Sequence, residues 1–189
     1  LSRYQIPEAL PHVKRLGKHP WDHYRKRSIA YIERYGVQES VPHLIKLLDD
    51  SSYAVRAESF GAIALLTGTT LGQSRGLYHD RKMSEEKRED HIGKWVEWWN
   101  DHGKGKGDVE FHVSCIDRAL VLMDDHGPWD FKDRIGAQPI RIIMKHLVTG
   151  ISTRQPDDVL VREIMEFWMN GRSSLRFDGN RQKLVVLRD

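Results

Sequence analysis

The chain has 189 residues, 39% hydrophobic and 30% charged, with a net charge of +3. That size suits one domain or two small ones, the composition is that of a folded, water-soluble chain, and no apolar run nears the roughly 18 residues that cross a bilayer. A single cysteine, Cys115, excludes an intrachain disulfide and cysteine-based zinc or haem sites.

The sequence starts at Leu1 rather than Met, which implies the removal of a targeting segment or of part of a longer chain. The expected compartment is the cytoplasm or, if a signal peptide was removed, an exported, periplasm-like space.

The first elements come as a repeat. Shifted by 31 residues, "ALPHVKRLGKHPWDHYRKRSIAYIERYG" falls on "SVPHLIKLLDDSSYAVRAESFGAIALLTG". Pro11 meets Pro42, His12 meets His43, Arg25 meets Arg56, Ser28 meets Ser59 and Ile32 meets Ile63. Each unit reads as two helices. Leu10, Val13 and Leu16, like Val41, Leu44 and Leu47, recur at helical spacing. Proline is expected near the start of each first helix, where its missing N–H costs nothing. Gly36 and Gly68 are expected to end the second helices. A period near 31 built of helix pairs, none of which covers its own apolar face, predicts an α-solenoid.

The basic residues Lys14, Arg15, Lys18, Arg25, Lys26, Arg27 and Arg34 concentrate here. They read either as a solvated helix face or as a surface for an acidic partner or nucleic acid, with Arg25, Arg27 and Arg34 as contact candidates.

Pro42, Leu44, Leu47, Leu48, Asp49, Val55, Arg56 and Ala62 together resemble a HEAT repeat of the short bacterial, phycobilisome-lyase-like type. "LTGTTLG" and "KWVEWWNDHG" resemble the end of such proteins, so the likeness covers about residues 1–103. The first unit departs from the pattern, with Tyr24-Arg25 for Val-Arg and "GKHPWD" for the acidic turn. The resemblance implies an interaction or scaffold role more than a reaction, with phycobilin attachment in one branch.

The units are expected at about 6–36 and 38–68. "GLYHDRKM" at 76–83 lies in a long loop, a kind of segment that usually carries function or is ordered by a partner. A helix over about 84–102 has Ser84 as N-cap, Glu85 and Glu86 in its first turn, and Ile92, Trp95, Trp98 and Trp99 on one side. It reads as a Trp-rich capping helix or, alternatively, as an aromatic platform for a ligand or nucleobase. "GKGKG" signals a linker at 104–107.

Beyond it, 108–189 is expected to be a smaller helical region. Its segments are "DVEFHVSCIDRALVLMDD", "PIRIIMKHLVTG" and "PDDVLVREIMEFWMNG", and Cys115 reads as a small buried hydrophobe. Trp129 and Phe131 lie in a loop, either folded back on the core or anchoring a partner. A terminal β-hairpin at about 174–188 turns at Asp178-Gly179 and carries Leu175, Phe177, Val185 and Leu187. An isolated hairpin is marginal, so it should dock on its own domain or on a partner.

No chemical motif completes itself. His19 and His23 are four apart but separated by Pro20, and there is no HExxH, GxSxG, P-loop or GxGxxG. His12 and His43 share a repeat position, which argues for a shared structural role. No catalytic, cofactor or metal residue is therefore assigned. The expected function is that of a non-catalytic protein–protein interaction subunit, a scaffold or assembly component of a larger complex with other subunits as partners. Alternatives are a nucleic-acid binder using the basic N-terminal surface with Trp21, and a lyase-like or chromophore-chaperone protein.

Overall fold

The computed structural model describes residues 6–35, 38–73, 77–78, 80–126, 142–143, 147, 157–171, 174–178 and 183–186. The helices are α1 (Ile6–Leu16), α2 (Asp22–Tyr35), α3 (Val41–Leu47), α4 (Tyr53–Thr67), α5 (Glu85–His102), α6 (Asp108–His126) and α7 (Asp157–Gly171). A hairpin follows, β1 (Leu175–Asp178) and β2 (Lys183–Val186). The described chain is thus mostly helical with one small antiparallel sheet. No helix among the described residues is long and apolar enough to cross a membrane.

α1 packs on α2, α3 on α4, and α2 on α4, while α5 lies against α3. Of the apolar stripes expected from the repeat, Val13 of α1 and Val41, Leu44 and Leu47 of α3 face inward, but Leu16 at the end of α1 stands 37% exposed. Ile29 and Ile32 of α2 and Phe60 and Ile63 of α4 are essentially inaccessible. Trp95 and Trp98 of α5 join the same core. Burial of each such side chain contributes roughly 1.5–3 kcal/mol against the ordering cost of the chain.

α4 is apolar nearly all round and is buried on several sides. Its Phe60 and Ile63 serve the first core. Ala64 and Leu65 face a second one with Ile116 of α6, Trp168 of α7 and Leu184 of β2.

Gly68 ends α4 with φ +70°, and its N–H bonds the Ala64 carbonyl at 2.9 Å. A Cβ there would also lie 2.6 Å from the Cys115 carbonyl oxygen. Glycine is needed both for the left-handed turn and for the close approach of α6. Gly36 lies outside the described residues.

Proline corrects one expectation. Pro42 stands at the start of α3, but α1 begins at Ile6 and so holds Pro11 in its interior. There the missing N–H removes one hydrogen bond of the helix ladder, whereas at a helix start, as for Pro42, it costs nothing.

Ser84 caps α5, accepting the Lys87 N–H at 3.3 Å. In the preceding loop, Gln73 Oε1 accepts from the hydroxyl of Tyr78 at 2.6 Å and from Trp95 Nε1 at 3.2 Å. Tyr78 is fully buried and stacks on Phe60 at 4.8 Å. Gln73 and Tyr78 are thereby fastened to the core.

The glycine-rich segment after α5 is a turn whose Gly103 and Lys106 carbonyls accept from the Gln38 side-chain amide. Packing continues across it: Phe111 and Cys115 of α6 belong to the first core, and the guanidinium of Arg118 sits 5.2 Å from the Trp98 ring.

The hairpin forms with Leu175 opposite Val186 and Phe177 opposite Leu184. It docks on its own chain through buried Leu184, which also bridges to Leu147.

Candidate functional site

Two repeat-equivalent arginines organise one edge of the helix pairs. Arg25 donates to the His19 and Pro20 carbonyls at 2.8 and 2.7 Å, and grips Asp50 with two bonds of 2.7 Å. Arg56 donates to the Asp50 and Ser51 carbonyls at 2.8 and 3.4 Å, and to the Asp80 carbonyl at 3.0 Å. Each arginine ties the turn of its own helix pair to the next turn along. The hydrogen bond to Asp50 raises the pKa of Arg25. Among the described residues Arg56 has no carboxylate in its grip and its buried Nε has no partner, and burial lowers its pKa.

Of the contact candidates, Arg25 is thereby committed inside the fold. Arg27 and Arg34 are exposed on α2, over the rings of Tyr24 at 5.8 Å and Tyr35 at 5.3 Å. Leu175 and Val185 are half-buried in the hairpin, Leu175 against the second core. Phe177 takes its place in the ladder, its side chain lying outside the description. Trp129, Phe131 and Leu187 lie outside the described residues.

The turn before α2 gathers rings. Tyr24 lies 4.2 Å from His19 and 4.1 Å from His23, and stacks with Trp21 at 6.2 Å. Trp21 is 64% exposed, a large apolar surface to leave in water. Lys18, Lys26 and Arg27 are the neighbouring basic residues in sequence.

On α5 the structure opens a groove of about 700 Å³ against α3. Ile45, Ile92 and Val96 make its apolar floor, and Lys46, Asp49, Glu89 and Glu97 its charged rim. Asp49 bonds Arg88 at 2.5 Å. Gly93 lies midway along the α5 wall, with nothing among the described residues within 4 Å of where a Cβ would stand. This site was absent from the sequence reading. Its only trace there is the spacing of Glu89, Ile92, Gly93, Val96 and Glu97 at helical intervals along one face.

His43 and Cys115 serve packing. The His43 ring is pressed against Gly17, where a Cβ would lie 2.5 Å from it, and its Nε2 is buried without a partner among the described residues. Burial, assisted by Lys14, Lys46 and Lys18, lowers its pKa to about 4. His12, its repeat equivalent, is exposed beside Arg15, so the two share a position without sharing an environment. Burial pushes the Cys115 thiol up to about 12, which keeps it protonated and unreactive. Among the described residues, no group of three or more His, Cys, Asp or Glu side chains is placed to hold a metal ion.

Comparisons of the chain with protein-family models, curated proteins and solved structures return no significant match.

Proposed function

We propose that this chain is a non-catalytic interaction subunit of HEAT-like type, in which α1–α2 and α3–α4 are stacked solenoid units, α5 is the cap, and the groove between α3 and α5 is where another protein binds. The observation that carries this reading is the groove itself. It has an apolar floor and a charged rim, the make-up of a protein-binding surface. The 31-residue register of Arg25 and Arg56, kept in their hydrogen bonds as well as in sequence, supports the stacked-unit reading. Tagged full-length protein, purified under mild salt from its native source, is expected to elute in stoichiometric company. Elution alone, or an enzymatic activity abolished by one polar substitution, would sink the reading.

A second reading has its own observation. Trp21, with His19, His23 and Tyr24 beneath it and basic residues alongside, supplies the stacking surface and cations that single-stranded nucleic acid uses. It expects oligonucleotide affinity that falls steeply with salt and with Trp21→Ala. No binding at low ionic strength removes it.

A further inference from the structure

We propose that the groove between α3 and α5 takes an amphipathic helix of a partner protein, one that presents two Lys or Arg residues about two turns apart with apolar residues between them. The inference rests on the interaction-subunit reading and names the occupant of its site.

Charge selects the occupant. The rim holds three carboxylates, Asp49, Glu89 and Glu97, against one ammonium, Lys46. Asp49 is already engaged by Arg88. Glu89 and Glu97 are exposed and stand eight residues apart on α5, about 12 Å at 1.5 Å per residue. Ile92 and Val96 lie between them, and Val96 is 43% exposed. A carboxylate at each end of a short apolar strip complements a cation at each end of an apolar helix face.

Gly93 makes the helix reading specific. Glycine inside an 18-residue helix is unfavourable, and here neither a positive φ nor a crowded Cβ position requires it. What its missing side chain provides is room at the centre of the groove. Helix axes approach to about 8 Å only where the side chains between them are small. A cavity left open at that point therefore fits a second backbone lying along α5.

The test uses the full chain and a synthetic helical peptide with two lysines at the spacing of Glu89 and Glu97 and leucines between them. A partner peptide carries glutamates in place of the lysines. Binding followed by fluorescence anisotropy should favour the lysine peptide and weaken with salt. Glu89→Lys with Glu97→Lys should lower that affinity by about tenfold or more and transfer preference to the glutamate peptide. Gly93→Leu should abolish binding, and Gly93→Ala, whose Cβ meets nothing within 4 Å among the described residues, should weaken it while the chain melts no lower than wild type.

Lysine-peptide binding that is indifferent to Gly93→Leu and to the charge reversal overturns the proposal. So does a dimer in sedimentation that Gly93→Leu disrupts while neither peptide binds, since the occupant is then a second copy. If native partners co-purify undiminished with both variants, the groove assignment falls and the subunit reading stands. If the peptide pattern holds but nothing co-purifies, the groove has its chemistry and the subunit reading falls.

Discussion

Arg25 of α2 grips Asp50 of the turn before α4 through two parallel bonds of 2.7 Å, with the side chains 11% and 7% exposed. A planar guanidinium matches a carboxylate in this fork, and Lys does not. Removing one member leaves the other charge buried, so Arg25→Ala or Asp50→Ala should each destabilise the fold by about 3 kcal/mol. The double variant should cost less than the sum of the two, which a urea-melt double-mutant cycle will reveal.

His43 gives the fold a specific acid weakness. Its ring has a pKa of about 4 when folded against 6.5 when free. At pH above 6.5 it is neutral in both states and costs nothing. As pH falls from 6.5 toward 4 the unfolded chain takes up the proton first, so stability declines through that window. Allowing for partial solvent access, the loss should reach about 2 kcal/mol. His43→Leu should flatten the stability profile between pH 6.5 and 4 relative to wild type. Gly17→Ala should destabilise by about 1–3 kcal/mol because its methyl would enter the space of the His43 ring. If Gly17→Ala in a His43→Ala background costs as much as in wild type, the packing account is wrong.

Gln73 accepts from two buried donors, the Tyr78 hydroxyl and the Trp95 indole N–H. Gln73→Leu should take that acceptor from the Tyr78 hydroxyl beside Phe60 and lower stability by about 2 kcal/mol. Tyr78→Phe in that background should recover part of it, because the hydroxyl that lost its acceptor is gone. Thermal melts of the three variants decide this.

The repeat was legible because its information is local in register. Arg25 and Arg56 stand 31 apart in sequence, and each bonds the carbonyls five and six residues before it. The inward stripe of Ile29, Ile32, Phe60 and Ile63 follows from helical periodicity alone. Pro11 was misplaced because a proline marks a helix start only on average, and the residues before it continued the helix. The order within the glycine-rich turn depends on the Gln38 amide, more than sixty residues away, which composition does not reveal. The groove depends on how α3 and α5, distant in sequence, come together, so Glu89 and Glu97 read in sequence as ordinary solvated acids.

Gly93→Ala separates stability from binding. In an α-helix interior alanine is favoured over glycine by about 0.5–1 kcal/mol, through the smaller entropy lost on folding. Gly93 has no positive φ and an added methyl would touch nothing among the described residues. The substitution should therefore raise the melting temperature, an uncommon result for a change in a folded chain. The same methyl would stand in the groove between Ile92 and Val96, where a docked helix needs the room. A more stable protein with weaker peptide binding is the expected pair of results. A fall in stability would mean that Gly93 serves the fold itself, and would remove the reason for reading the gap as a place kept for a partner.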